Sequence, residues 1–198
     1  MNEGPSFLVT PIPKVANEGD RVKFSCKVRG KPLPQLTWFK EQQIISQAEE
    51  VEIIEKQNED KIEVEGTLNL KNATGLDESE LYRIQAENSI GAVSHTFSLA
   101  VNKAPEFIKV PAEVEVIEGE PASVTAVATG RPLPDLVWYK DNKALADGEE
   151  VSIENVQADG ESRGTMDADP VQLSHEGKYK VKATNVAGSV SAAFPISG

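Results

Sequence analysis

Three side chains in this sequence could act as nucleophiles or bind a metal through sulfur or nitrogen: Cys26, His95 and His175. The two histidines lie in different halves of the sequence, and neither has a cysteine or a second histidine at zinc-ligand spacing. Cys26 belongs to a run from Val22 to Val28 in which apolar and polar residues alternate, which predicts a buried, inert thiol. The sequence therefore predicts no catalytic residue and no metal site.

The acidic residues form clusters, but not the pattern of a calcium loop. Clusters occur at residues 49–52, 77–80 and 149–150, and none has the ligand spacing of an EF-hand. The sequence also lacks a glycine-rich phosphate loop and a nucleophile elbow. We expect no cofactor and no small-molecule ligand. A glycosylation sequon at residues 72–74 would be silent in the cytosol.

A twelve-residue segment that contains turn residues and a tryptophan occurs twice, one hundred residues apart. Residues 29–40 read RGKPLPQLTWFK, and residues 129–140 read TGRPLPDLVWYK. A proline-rich segment could bind an SH3 or WW domain, but such ligands need Pro-x-x-Pro, and the spacing here is Pro-x-Pro. We therefore interpret the repeated segment as a loop followed by a strand. The repeat predicts two domains, residues 1–101 and 102–198, with a short linker at residues 101–105.

Short runs in both halves alternate apolar and polar residues, and turn residues separate these runs. A period of two, with turns at intervals of about 8–12 residues, indicates an all-β sandwich. No segment has a strong helical period. Trp38 and Trp138 stand between apolar neighbours on such strands, so we expect them in the two cores and not on a ligand-binding surface.

The charge and the cysteine count limit the possible partners and compartments. The net charge is −12, and both halves are acidic, with 11 basic and 16 acidic residues in the first and 9 and 16 in the second. Such a charge repels phosphate backbones and anionic membrane surfaces, so neither nucleic acid nor a membrane is an expected partner. A single cysteine cannot form an intramolecular disulfide, which favours a reducing compartment.

Together, the motifs resemble the intermediate set (I-set) of immunoglobulin domains over nearly the whole chain. Each half has Glu-Gly, then Gly-x-Pro-x-Pro before a tryptophan, then a corner tyrosine, then an asparagine turn. In the first half these are residues 18–19, 30–34, 38, 82 and 86–91, and in the second they are residues 118–119, 130–134, 138, 179 and 183–188. The variant with Gly-x-Pro-x-Pro, and with Pro-Glu-Phe at residues 105–107, looks most like the giant intracellular muscle proteins of the titin, twitchin, projectin and obscurin types.

Both halves depart from extracellular members of this family at the positions of the conserved disulfide. In those members the bond joins strands B and F and packs on the tryptophan. The corresponding positions here are Cys26 with Ile84 and Ala126 with Val181, so neither half can close the bond. We expect a structural core in each half that contains Trp38, Trp138, Tyr82, Tyr179 and Cys26.

The tyrosine corner also departs from the family pattern. The family often has Asp four residues before the tyrosine and Gly two residues after that Asp. The first half has Glu78 and Glu80 at these places, and the second has His175 and Gly177. We expect the corners to be braced differently, with the phenol still bonded to the backbone upstream.

The resemblance implies two tandem Greek-key β-sandwiches without enzymatic activity. Their function would be that of a structural and scaffolding segment, a force-bearing spacer that docks sarcomeric or cytoskeletal proteins and neighbouring domains of the same parent chain. The expected location is the cytoplasm, in the sarcomere or myofibril, and the pair is expected to be monomeric. The alternative is an extracellular adhesion or receptor module of the same fold. The sequon fits that alternative, but two consecutive domains without paired cysteines do not.

The resemblance also implies a contact at the junction of the two domains. In this fold the E–F loop lies at the opposite end of the sandwich from the B–C loop. In a tandem pair, the acidic loop with Asp77, Glu78 and Glu80 should therefore approach Arg131 in the second domain. We expect a weak charge contact there, worth about 0.2–1 kcal/mol if it is exposed.

Overall fold

The computed structural model describes residues 1–75, 80–148 and 150–198. The chain divides into two compact units, Met1–Val101 and Asn102–Gly198, which we call the first and the second unit. The described residues form β-strands and one short 3-10 helix, so the prediction of an all-β fold is confirmed. None of the described helical residues forms a helix long and apolar enough to cross a membrane.

Nine strands build the first unit. They are β1 (Glu3–Val9), β2 (Lys14–Asn17), β3 (Val22–Lys31), β4 (Gln35–Lys40), β5 (Gln43–Ile44), β6 (Val51–Asn58), β7 (Glu63–Leu70), β8 (Glu80–Glu87) and β9 (Ala92–Lys109), whose last residues belong to the second unit. One sheet has the order β1-β3-β7-β6. In the other sheet β5, β4, β8 and β9 are successive antiparallel neighbours, and β2 pairs with β9.

The alternation along β3 shows how the sequence selects the buried face. Val22, Phe24, Cys26 and Val28 are buried, and the residues between them are exposed or partly exposed. Successive side chains of a strand point to opposite faces, so one period-two series is enough to assign the core side. β8 of the facing sheet alternates in the same way, with Tyr82 among its buried residues.

The second unit repeats this plan. Its strands are the last part of β9, β10 (Val114–Glu115), β11 (Ala122–Arg131), β12 (Asp135–Lys140), β13 (Lys143–Ala144), β14 (Ser152–Ala158), β15 (Glu161–Ala168), β16 (Gly177–Asn185) and β17 (Gly188–Ser197), with a 3-10 helix at Leu173–His175. One sheet runs β9-β11-β15-β14, and the other runs β10-β17-β16-β12-β13. The β10–β17 pair is parallel, and the other pairs in these two sheets are antiparallel.

The same group of three aromatic rings lies at the centre of each core. In the first unit, Trp38 meets Phe97 edge-on at 6.0 Å between ring centroids, and Tyr82 stacks on Phe97 at 5.7 Å. Such pairs stabilise a core beyond the effect of buried area alone. In the second unit the distances are 6.1 and 5.7 Å, among Trp138, Phe194 and Tyr179.

Each tryptophan packs against a glycine of the facing sheet. A Cβ atom at Gly66 would stand 2.6 Å from Leu36 Cδ1 and 3.5 Å from Trp38 Cζ2. A Cβ atom at Gly164 would stand 3.2 Å from Trp138 Cζ2. Because a Cβ atom at either position would displace a leucine of the facing sheet (Leu36 or Leu136), glycine allows the facing sheet, with its tryptophan, to approach closely.

Candidate functional site

Cys26 is a buried core residue and not a reactive thiol. It is 3% exposed, and burial raises the pKa of its thiol to about 11. The thiol is therefore protonated at neutral pH and is a poor nucleophile. His95 is half-buried in β9, with its ring edge-on to Phe7 at 6.3 Å. In the part of the chain that the structure describes, no group of three His, Cys, Asp or Glu residues could hold a metal ion.

His175 braces the tyrosine corner of the second unit. Its Nδ1 accepts a hydrogen bond from the Gln172 N–H at 2.8 Å, so Nε2 carries the ring proton and donates to the Glu150 carbonyl at 3.0 Å. The Tyr179 hydroxyl donates to the His175 carbonyl at 2.7 Å. Burial raises the pKa of this phenol to about 12, so the donor keeps its proton at neutral pH. The expected bond from the phenol to the upstream backbone is present here.

Two of the four residues expected at the domain junction belong to the described part of the chain. Asp77 and Glu78 lie outside the described residues. Glu80, at the start of β8, forms an ion pair with Lys40 of the first unit at 3.0 Å. Arg131 is the last residue of β11. The contact between the acidic loop and Arg131 stays a prediction.

An asparagine in the first unit ties three backbone segments together. Asn88 Nδ2 donates to the carbonyls of Glu3 at 2.7 Å and Pro32 at 3.0 Å, and Asn88 Oδ1 accepts the Ile90 N–H at 2.9 Å. These partners belong to β1, to the proline loop and to the turn before β9. The Asn88 amide thereby holds β1, the proline loop and the turn before β9 together, although they are far apart in sequence.

Asn185 makes the same bonds in the second unit. Its Nδ2 donates to the carbonyls of Lys103 and Pro132, each at 2.8 Å, and its Oδ1 accepts the Ala187 N–H at 2.9 Å. Sequence reasoning included both asparagines in a family motif but gave them no role. The repeat itself was the available clue, since an amide side chain combines two donors with an acceptor.

The strands at the start of each sandwich are held by backbone pairing. β1 pairs antiparallel with β3 through two register shifts. In the second unit, Val114 of β10 lies parallel and opposite to Ile196 of β17. The Val116 N–H extends this pairing by donating to the Ser197 carbonyl at 2.9 Å. The second strand of this unit, β10, and its last strand, β17, are therefore neighbours.

The tryptophan N–H has a partner in the second unit. Trp138 Nε1 donates to Asn155 Oδ1 at 3.3 Å, and Asn155 Nδ2 donates to the Leu136 carbonyl at 3.1 Å. Asn155 lies on the edge strand β14, opposite Gly164. Asn155 therefore links the edge strand β14 of one sheet to β12 of the other sheet, which carries Trp138.

The first unit has a carboxylate at the same place. Glu55 lies on the edge strand β6, opposite Gly66. Trp38 Nε1 is buried, and none of the described residues accepts a hydrogen bond from it. Burial raises the pKa of Glu55, which means that its surroundings oppose the ionised form. The sequence did not point to Glu55 or Asn155, because both lie outside the family motifs, on edge strands without a clear alternation of apolar and polar residues.

Two facing sheets of this strand order, with a tryptophan between them and a tyrosine bonded to an upstream carbonyl, define an immunoglobulin-like β-sandwich. The family profile described as the immunoglobulin I-set domain matches residues 5–101 and residues 105–197. The chain belongs to the immunoglobulin I-set family and carries two of its domains in tandem. From here the two units are called the first and the second domain.

Similar proteins come from more than one setting. The chain is 27% identical to the muscle M-line assembly protein unc-89 of Caenorhabditis elegans over 96% of its own length, and 28% identical to human roundabout homolog 2, also over 96%. It spans 2% of the first relative and 13% of the second. A solved structure, the I-band fragment I67–I69 of titin, has the same fold, with a TM-score of 0.77 and 24% identity over 98% of this chain and 65% of that one.

Exchanging Glu55 and Asn155 between the domains should change their stabilities in opposite directions. Glu55→Asn places beside Trp38 the amide that accepts the tryptophan N–H in the second domain. We expect it to raise the free energy of unfolding of the first domain by about 1–2 kcal/mol. Asn155→Glu should lower that of the second domain by a similar amount. Urea unfolding of the separate domains measures both.

Glu59→Asn is the matched control, because Glu59 is an exposed residue of the turn between β6 and β7. It makes the same chemical change away from the tryptophan and should leave the unfolding free energy nearly unchanged. A Glu55→Asn domain no more stable than the control would contradict the inference that an amide at position 55 satisfies the Trp38 N–H.

Proposed function

We propose that this pair of domains is a structural segment of a sarcomeric or cytoskeletal protein, where it acts as a force-bearing spacer and docks other proteins. The two domains, bounded at residues 101 and 102, fold independently in this proposal. The segment lies in the cytoplasm, at the sarcomere or myofibril. The pair itself is monomeric, with no catalytic role, no cofactor and no bound small molecule.

The observation that carries the proposal is the chemistry between the two sheets of each domain. At the positions where extracellular relatives place a disulfide, this chain has buried apolar side chains or a lone thiol: Cys26 and Ile84 in the first domain, Ala126 and Val181 in the second, each 0–3% exposed. Both cores are complete without a cross-link. That construction suits a reducing compartment, where disulfides do not persist.

The strand order supports a role under tension. In the second domain, β10 near the start and β17 at the end are parallel neighbours. When the two ends of the domain are pulled apart, parallel neighbours slide along each other. Their hydrogen bonds are then loaded together, and do not open one after another. The pairing at Val114 and Val116 is therefore a shear barrier to unfolding of this domain under force, in addition to the β9–β11 pairing through which the chain enters.

The comparisons support the muscle setting through one relative. The worm protein is named as a muscle M-line assembly protein, and the match covers 96% of this chain. The likeness to the titin fragment, at 24% identity, supports the fold alone. The chain spans a small share of its long relatives, so a role as one segment among many is a proposal that fits their size.

An extracellular adhesion or receptor module is the second candidate function. Asn72 of the sequon is exposed, so a glycan could be attached there. The similarity to roundabout homolog 2 fits the same setting. The lack of a cross-sheet disulfide in both domains is the argument against this candidate.

Localising the parent protein with an antibody to the pair separates the two candidates. The proposal predicts staining that appears after cells are permeabilised and that follows the striations of muscle fibres. An antibody to an intracellular protein of the same cells is the control for membrane integrity. Staining of intact, unpermeabilised cells would overturn the proposal in favour of the extracellular module.

Val116→Pro should weaken the second domain under force. Proline lacks the N–H that Val116 donates to Ser197, so one hydrogen bond of the shear barrier is lost, a loss of about 1 kcal/mol. Val116→Ala keeps the N–H and is the matched control for the lost side chain. Single-molecule pulling of the full chain should show a lower unfolding force for the proline variant than for the alanine variant. The first domain serves as the internal reference, and equal forces for both variants would contradict the shear barrier.

A further inference from the structure

Three lysines form a ladder on the outer face of the second domain. Lys178, Lys180 and Lys182 alternate along β16 with buried residues, so their side chains share the face that points away from the core. Lys178 is exposed, and the other two are half-buried. Alternate residues of a strand are about 7 Å apart, so the three ammonium groups form a regular row. We call this row the lysine ladder.

The strands beside the ladder contribute uncharged side chains. On β17, the residues opposite the three lysines are Pro195, Ala193 and Ser191, and all three are small and exposed. On β12, Tyr139 lies opposite Lys180, whose Nζ stands 4.7 Å from the centre of the ring. Val137 lies opposite Lys182 and is 39% exposed. The ladder therefore stands between a flat strip of small residues and an accessible apolar strip.

The ladder lacks the ion pairs that a strand built for stability alone would have. None of the described carboxylates forms an ion pair with these three lysines, although the second domain has 16 acidic residues and only 9 basic ones. Lysines often protect the edge strands of sheets. Protection of a sheet edge does not explain the ladder, because β16 is an inner strand between β17 and β12. Neighbouring like charges repel each other, so the ladder calls for another explanation.

The first domain shows a different arrangement at the same place. The outward residues of β8 are Leu81, Arg83 and Gln85. The single cation is already engaged, since the Arg83 guanidinium stands 4.0 Å from the centre of the Phe39 ring and Nη1 donates to Gln85 Oε1 at 2.9 Å. Lys180 makes a similar ring contact with Tyr139, so the second domain differs in having a row of three cations that no described carboxylate pairs with.

We propose that the lysine ladder is a docking surface for an extended acidic segment of a partner protein, with acidic residues at alternate positions. Such a segment has the same repeat of about 7 Å as the ladder, so each carboxylate meets one ammonium group. The residues between the carboxylates face outward, and the flank of the segment lies against Tyr139 and Val137. This inference rests on the proposed role in docking proteins and names the partner chemistry for it.

The charge of the whole chain favours a peptide over a larger polyanion. The field of the ladder is screened within about 8 Å at physiological ionic strength. A short acidic segment meets only the ladder, whereas a membrane or a nucleic acid also meets the surrounding acidic surface of a chain with net charge −12. An acidic polypeptide is therefore the partner that the charge distribution selects.

Titrating the full chain with a short acetylated peptide of alternating Glu and Ser tests the proposal. Amide NMR shifts should map to β16 and to the neighbouring parts of β12 and β17, and not to β8. A peptide of the same composition with its glutamates in one block should bind more weakly, because its charges do not match the spacing of the ladder. Binding should also weaken as salt is raised.

Two triple variants with the same change in net charge separate the ladder from general electrostatics. Lys178→Gln, Lys180→Gln and Lys182→Gln together should lower the affinity about tenfold. Lys103→Gln, Lys109→Gln and Arg163→Gln alter exposed cations outside β16 in the same domain and should leave the affinity nearly unchanged. An equal loss in both variants would overturn the proposal, as would shifts spread over both domains.

Other occupants give distinct results. Co-sedimentation with phosphatidylserine and phosphatidylcholine vesicles, without binding of the alternating peptide, would overturn the peptide assignment. Self-association of the chain that the ladder variant abolishes would do the same, because the occupant would then be a second copy. None of these results alters the localisation of the parent protein, so the ladder can fail while the proposed function stands.

Discussion

The packing of one indole ring against a glycine of the facing sheet is the interaction on which each domain depends. No disulfide joins the sheets, so their separation is set by what lies between them. Trp38 reaches Gly66 and Trp138 reaches Gly164, and in both cases a Cβ atom would fill the space. The phenylalanine and the corner tyrosine complete the group of rings. Both domains therefore obtain from close packing the contact that a cross-link would otherwise provide.

The remaining features hold the chain ends and loops onto that core. The asparagine braces join the entry of each domain to the proline loop and to a later turn. In the second domain, the parallel pairing of β10 with the last strand, β17, joins a segment near the start of the domain to its end. The interior and the strand pairing thus hold each domain together, which leaves the outer sheet faces free to differ. The lysine ladder, present in one domain and replaced by Leu81, Arg83 and Gln85 in the other, is such a difference.

The sequence predicted the features that an alternation of apolar and polar residues or a repeated motif can indicate. Alternation predicted the all-β fold and the inward series of β3, and the repeated motifs led to the I-set family. It did not assign Asn155 to the Trp138 N–H, or place Glu55 at the corresponding position of the first domain, because both depend on the register of an edge strand. It also missed the lysine ladder, since a net charge summed over a half conceals how charges are arranged on one face. The sequence marked His175 as a departure at the tyrosine corner, and the structure shows how it braces the corner, through hydrogen bonds to the backbone at Gln172 and Glu150.

Urea unfolding of the separate second domain carrying Trp138→Ala, followed by circular dichroism, tests the central claim most directly. This domain has no cysteine, so no disulfide can compensate for packing that is lost between its sheets. Removing the indole leaves a cavity between the sheets, and we predict a loss of about 3–5 kcal/mol in the free energy of unfolding. That is a large share of the stability of a domain of this size. A loss below about 1 kcal/mol, typical of a surface substitution, would contradict the account.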